Sequence, residues 1–338
     1  MKTSPISSIP AHKNGMLLLL GGLLALSAVM SICFGAVPVA PGDILSVLLG
    51  NQRGTPQSQI ILYARLPRTC GCLLAGSALA VSGGVIQNVL HNPLAAPNVI
   101  GVNSGAGLAV VLCCAAAPAA IWAVPAAAFC GALAGSLMVF FVSKATGASR
   151  ITLVLAGIAL SGMFSAGIDA VVKIVPDALN GYSDFRIGGF SNLSMERIVP
   201  AFWIILAAML AVFALAGEMD VLALGEETAR SLGLSTQRVR LVLLGCAAAL
   251  AGGAVSFAGL VGFVGLIVPH AMRRLAGEEG ISFLASCALG GGALVTLCDL
   301  GGRVLFAPYD LPVGILLSLL GGGFFLWLLV RQKGGRRG

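Results

Sequence analysis

The chain has 338 residues, of which 58% are hydrophobic and only 10% charged, with a formal net charge of +7. A water-soluble globule carries about 25% charged residues, so that class is excluded. Apolar runs long enough to cross a bilayer recur along the whole length, which implies an all-α, polytopic membrane protein.

The first run, Met16–Val37, follows Lys2 and Lys13 and reads as a retained first helix, because it lacks a small-residue cleavage site. Further spans are expected near Arg65–Leu90, Asn98–Ala115, Ala119–Ser143, Ile151–Val175, Ser194–Ala216 and Thr236–Ala258. A short, glycine-flanked segment follows at Gly265–Leu275, then Ile281–Phe306 and Leu311–Arg331, for ten spans in all. This organisation predicts a cytoplasmic tail over 1–15, one ten-helix domain over 16–331 and a basic cytoplasmic tail over 332–338. With both termini inside, thirteen of the 20 lysines and arginines fall on the cytoplasmic side, in agreement with the positive-inside rule. The basic tail reads as a topology anchor rather than a nucleic-acid- or lipid-binding site. Glycines such as Gly76, Gly83, Gly252 and Gly253 lie inside spans, where small residues let helix backbones approach closely.

Reactive side chains form no catalytic or metal-binding pattern. Most of the nine cysteines fall in apolar spans, where cysteine acts as a small hydrophobe. Cys70 and Cys72 are too close for a zinc pair, and His12, His91 and His270 are scattered. No phosphate-binding loop or serine elbow occurs, so ATP hydrolysis by this chain is not expected. Two carboxylates fall inside spans, each four residues before a cation: Asp169 before Lys173, and Asp299 before Arg303. Both are expected to be self-neutralising pairs near the external surface, with structural or docking roles rather than a proton relay.

Between two spans, Leu222–Leu234 is charged. Gly225 opens a predicted two-turn helix, and Glu226 and Glu227 occupy its first turn, where the helix dipole favours them. Arg230 stands four residues after Glu226 in the favourable order, and Gly233 supplies a stop. Leu224, Ala229 and Leu232 are its apolar positions. Such a helix is marginal by itself, so it is either an ordinary solvated loop helix or a docking element.

Ordered blocks along the chain decide between these. They include R-L-P-R at Arg65–Arg68, leading through A-G-S-A-L-A-V-S-G-G-V-I-Q to Gln87, then H-N-P-L-A-A-P at His91–Pro97 and G-V-N-S-G-A at Gly101–Ala106. L-A-G-I-A-L at Leu155–Leu160, A-L-G-E-E-T-A-R-S-L-G-L at Ala223–Leu234, F-A-G-L-V-G-F-V-G-L-I-V-P-H at Phe257–His270 and D-L-P-V-G at Asp310–Gly314 follow. In these blocks the chain resembles the permease subunits of type II bacterial ABC importers for iron–siderophore complexes, haem and vitamin B12.

The resemblance implies a ten-helix subunit in the cytoplasmic membrane, paired with a second copy or a close homologue. It implies two ATPase subunits, which hold ATP and magnesium, docked on Gly225, Glu226, Glu227, Arg230, Leu232 and Gly233. A substrate-binding protein would meet Arg65, Arg68 and Arg303 on the outside. A cytoplasmic gate would involve Asn92, Leu94 and Ser149; Ala148 beside Ser149 departs from the hydroxyl residues common in the family. Gly157, Ser161, Gly162 and Ser165 would line the path, with helix packing as the alternative role for these small residues. The chain itself would bind no cofactor or metal. A ferric siderophore is the expected cargo, with haem or a cobamide as alternatives in the same architecture. An ion-coupled secondary transporter would call for an unpaired acid near the midplane, and a membrane enzyme for a catalytic constellation.

Overall fold

The computed structural model describes residues 11–35, 37, 39, 41–48, 55–145, 150–278 and 280–334; no strand occurs among them. Chain order begins with α1 (Ala11–Cys33), α2 (Pro41–Leu48) and α3 (Pro56–Gln59), which runs through a π-helical segment, Ile60–Arg65, into α4 (Leu66–Leu90). Then come α5 (Val102–Ala116), α6 (Val124–Ala145), α7 (Arg150–Ile174), α8 (Ala178–Ile187) and α9 (Met195–Ala214). The short α10 (Ala216–Ala223) and α11 (Glu226–Ser231) precede α12 (Thr236–Ala258), α13 (Val264–Ala276), α14 (Gly280–Val304) and α15 (Val313–Gly334).

The ten expected spans correspond to α1, α4, α5, α6, α7, α9, α12, α13, α14 and α15. Seven helices among the described residues are long and apolar enough to cross a membrane. Helix α13 is not: its 13 residues rise about 20 Å, short of a hydrocarbon core of about 30 Å. The first helix ends at Cys33, earlier than the expected Val37, because Arg65 takes up the carbonyls of its last turn.

Helix α4 runs through the centre, flanked by α12, α13 and α14. Close approach there depends on missing side chains. A methyl on Gly83 would lie 1.9 Å from the Gly265 carbonyl oxygen of α13, and one on Gly76 would lie 2.3 Å from that of Gly291 in α14. Backbone contact at this range gains van der Waals attraction, which drives helix association where lipid removes the hydrophobic force. Helices α1 and α7 form the periphery, with only 17% of their most apolar stretch buried.

Helices α8 and α10 were not anticipated. Both are short and mixed in polarity, yet each buries a row at helical spacing: Ala178, Tyr182 and Phe185 in α8, and Ala216, Met219 and Leu222 in α10.

Candidate functional site

Local chemistry builds the short helix α11 as expected. Gly225 precedes it at φ 111°, and Gly233 follows it at φ 83°, conformations that cost an L side chain but not glycine. At its end the Leu234 N–H donates to the Ala229 carbonyl (3.0 Å) and the Gly233 N–H to that of Arg230 (2.9 Å), a Schellman stop. Arg230 Nη2 lies 2.7 Å from Glu226 Oε1, and Arg240 Nη2 of α12, itself buried, lies 2.8 Å from Glu226 Oε2. Glu226 thus binds α11 to the start of α12. Ala229 faces inward, fully buried, while Leu224 and Leu232 are each 64% exposed and Glu227 is exposed. The helix therefore presents two leucines and a carboxylate outward from a rigid base.

The last turn of α4 lies at the same end. Arg273 of α13 donates 2.5 Å bonds to Gln87 Oε1 and Asn88 Oδ1, and its guanidinium carbon sits 5.1 Å from the centre of the buried Phe283 ring. Gln87 Nε2 donates to the Gly265 carbonyl (3.1 Å). That oxygen is free because Pro269, four residues on in α13, has no N–H to give it. Beyond α4, Asn92–Ala95 forms a turn closed by the Ala95 N–H on the Asn92 carbonyl (3.0 Å), with Asn92 Oδ1 accepting from the Leu94 N–H (2.9 Å). Asparagine at the first position and Pro93 at the second suit this turn. Leu94 at its tip is 41% exposed. Ser149, the other predicted gate residue, lies outside the described residues, as do Gly147 and Ala148.

The four small residues of α7 separate into two groups. Gly157 is buried against the segment after this turn, where a methyl would meet the Val99 carbonyl oxygen at 1.8 Å, so its role is packing. Ser161 is half-buried and its hydroxyl lies 3.0 Å from that of Ser104 in α5. Gly162 and Ser165 are exposed, in a stripe with Leu155, Ile158 and Asp169. The expected Asp169–Lys173 pair does not form: no ion pair among the described residues joins them, and both residues are exposed.

The opposite end departs most from the sequence-based expectation. Arg65, Arg68 and Arg303, expected as rim cations, are only 4%, 8% and 6% exposed. Arg65 Nη1 donates to the Ile32 and Cys33 carbonyls at 2.8 Å each, and Nη2 to that of Val37. It caps the C-terminus of α1, where unpaired carbonyls and the dipole favour a cation. Arg68 spans two carboxylates: Nε lies 2.9 Å from Asp299 Oδ2, Nη2 2.9 Å from Asp299 Oδ1, and Nη1 2.6 Å from Asp310 Oδ2. Arg303 Nε lies 3.2 Å from Asp299 Oδ2, while its Nη2 donates to Ser31 Oγ (2.7 Å), which is 2.8 Å from Thr69 Oγ1. The anticipated Asp299–Arg303 pair is real, but Asp299 is fully buried and shared with Arg68. Asp310, in the loop after α14, is half-exposed; the Arg68 hydrogen bond, aided by Ser191, holds its carboxyl below the usual range. The guanidiniums turn inward to internal acceptors: Arg68 to Asp299 and Asp310, Arg303 to Asp299, and Arg65 to the carbonyls at the end of α1.

The FecCD transport family model matches residues 23–331. The chain is 33% identical over 317 residues to the Fe(3+)-citrate import system permease protein YfmE of Bacillus subtilis, covering 93% of this chain and 94% of that protein. It is 35% identical over 335 residues to the hemin transport system permease protein HmuU of Yersinia pestis, covering 97% and 98%. A solved chain, assigned to an inward-facing metal-chelate type ABC transporter, superposes with a TM-score of 0.84 at 28% identity, covering 94% of this chain and 99% of its own. With its bundle of membrane-crossing helices and a match spanning nearly its full length, the chain belongs to the FecCD transport family.

Proposed function

We propose that this chain is the permease subunit of an ATP-driven importer of a ferric siderophore, working as a pair with a second copy or a close homologue. The observation that carries the ATP-driven part is α11: a capped helix held at its base by Glu226 that leaves Leu224 and Leu232 in solvent. Keeping an aliphatic side chain of this size in water forgoes about 1.5–3 kcal/mol, and a groove on an ATPase subunit would recover it. Gly225, Glu227, Arg230 and Gly233 shape that contact. ATP and magnesium would reside in the ATPase pair, and this chain would hold neither cofactor nor metal. The α11 end is then cytoplasmic, with both chain termini on that side.

The exposed α7 stripe, with Gly162 and Ser165, is the face we assign to the second copy and the cargo path. Asn92, Leu94 and Ser149 form the inner gate in this reading. A substrate-binding protein would approach the outer end at the exposed Asp310, since Arg65, Arg68 and Arg303 are already committed to internal partners. The iron-citrate and hemin cargoes of the two relatives support a bulky iron chelate; a ferric siderophore is our choice within that class. Co-purification from mild detergent tests the reading. Glu227→Lys should lose the ATPase while the subunit stays membrane-inserted, and undiminished ATPase recovery would refute the assignment.

A further inference from the structure

His91 occupies an unusual place. It follows the last residue of α4 in the left-handed conformation, at φ 49° and ψ 39°. The backbone around it forms a Schellman stop: His91 N–H donates to the Asn88 carbonyl (3.3 Å), and Asn92 N–H to that of Gln87 (3.1 Å). Glycine is the usual residue there, because it adopts this conformation without a Cβ penalty. A histidine in its place is therefore a backbone cost that some other interaction must offset.

The ring supplies that interaction. His91 Nε2 lies 3.0 Å from the carbonyl oxygen of Ala223, across 132 residues of sequence. Ala223 is the last residue of α10, whose final carbonyls have no partner within their own helix. The ring N–H caps that end. Two residues later comes Gly225, the opening of α11. The same residue thus ends α4, begins the turn that carries Asn92 and Leu94, and holds the chain immediately before α11.

The surroundings place this contact between two anchored bodies. Arg273 pins Gln87 and Asn88, fixing the last turn of α4 to α13. Asp220 Oδ1 accepts from the Gly280 N–H (3.0 Å), fixing α10 to the start of α14. Between these two anchored bodies lies a cavity of about 250 Å³ of mixed polarity, lined by Gln87, Asn88, His91, Asn92, Ala223 and Arg273 among others. Beside it, the His91 ring bonds the end of α4 to the last carbonyl of α10. Helix α10 also packs against α4, so the directional bond acts beside van der Waals contact, and the adjoining space leaves room for the two segments to shift.

We propose that His91 is a positioning residue for transport, a latch through which displacement of the α10–α11 segment is passed to the gate turn at Asn92–Ala95 of the same subunit. The inference rests on the reading of α11 as the ATPase-docking helix and of Asn92–Ala95 as the gate. When docked ATPase subunits close on nucleotide and draw α11 with them, the Ala223 carbonyl pulls the ring. The ring is rooted in the first residue beyond α4, so the turn follows.

Substituting His91→Gly separates backbone from ring: it keeps the left-handed cap and removes the latch. His91→Gln keeps a side-chain N–H at similar reach from the backbone. The test uses the full complex with its co-purifying ATPase, trapped with ATP, magnesium and vanadate. Spin-labelled amino acids incorporated by codon suppression go at Thr228 on α11 and at Asn98 beyond the gate turn, both exposed, because nine native cysteines would compete for a thiol reagent. Distances between the labels of the two subunits are then read by pulsed electron paramagnetic resonance.

In the parent complex, trapping should shift the distance at both positions. In His91→Gly the shift at Thr228 should persist and that at Asn98 should be lost, with ATPase recovery intact and thermal stability not lowered. His91→Gln should restore the Asn98 shift. A His91→Gly complex that keeps its Asn98 shift overturns the latch, as does a parent complex that responds at Thr228 and not at Asn98; either result leaves the docking reading of α11 in place. A parent complex with no response at Thr228, or no ATPase, overturns that docking reading and the latch with it.

Discussion

Neutralising Asp299 tests whether the buried arginine cluster is a charge-balanced unit. The carboxylate is fully buried and receives Arg68 through both Nε and Nη2, while Arg303 Nε stands 3.2 Å away. Two arginines, Arg68 and Arg303, share two carboxylates here, so Asp299→Asn leaves two buried cations with Asp310, which pairs with Arg68 and not with Arg303. Removing one partner from a buried ion pair costs about 3–5 kcal/mol, because the remaining charge stays desolvated. At 1.4 kcal/mol per tenfold, that is roughly a hundred- to several-thousand-fold in the unfolding equilibrium. Asp299→Asn/Arg303→Met removes a cation together with the anion, leaving Arg68 with Asp310, and should regain more than half of the loss. Both variants can be compared with the parent by titrating detergent-solubilised protein with sodium dodecyl sulfate and following tryptophan fluorescence. A single variant within about 1 kcal/mol of the parent, the level of an exposed pair, would show that the cluster does not work as a desolvated unit. A double variant no more stable than the single would show that charge balance is not what sets the cost.

Two further outcomes follow from the same contacts. Arg68 depresses the folded-state carboxyl of Asp310 relative to its ordinary value of 3.8, so that contribution is fully present above pH 3.8 and is lost as pH falls through the lower folded value. The difference in thermal midpoint between the parent and Asp310→Asn should therefore be constant from neutral pH down to that range and shrink below it; a difference that persists in stronger acid would exclude the ion pair as its source. Gln87→Leu leaves the Gly265 carbonyl unpaired in the interior, at a cost of about 1–3 kcal/mol. Pro269→Ala, by restoring an N–H in α13, should reduce the penalty of Gln87→Leu when the two are combined, and strictly additive losses would contradict the proposed satisfaction of that carbonyl.

Much of the fold could be read because lipid allows few solutions. A spanning helix must be long, apolar and internally hydrogen-bonded, so Thr236–Ala258 was delimited by composition alone and matches α12 at both ends. The shape of α11 was also legible, since Gly225, the Glu226–Arg230 spacing and Gly233 are local signals acting within one turn. Partners distant in sequence were not. Arg68 meets Asp299 and Asp310 across 231 and 242 residues, and no local pattern announces either contact. The four-residue spacing of Asp169 and Lys173 matched that of Asp299 and Arg303, yet only the second pair closes. Both residues of the first are exposed, whereas Arg303 is confined beside Asp299 by burial. The pathway assignment on α7 was blurred for a related reason. A glycine spacing that suits a channel wall equally suits backbone contact, and Gly157 proves to be the latter.

The arginine cluster also determines where this molecule can bend. Arg65 ties the end of α1 to the start of α4, and Asp299 ties α4 to α14, so three helices share a fixed point at one end. At the other end α4 is held by side-chain contacts bordering a cavity. Arg68 is therefore the fixed point from which a tilt of α4, together with the α13 and α14 packed on it, would be measured. The 25 residues of α4 extend about 37 Å, and a tilt of about 5° about that point displaces the far tip by roughly 3 Å at this length. If Leu94 gates the path as proposed, an angular change that small near Arg68 would be enough to shift the gate turn by about the width of a side chain.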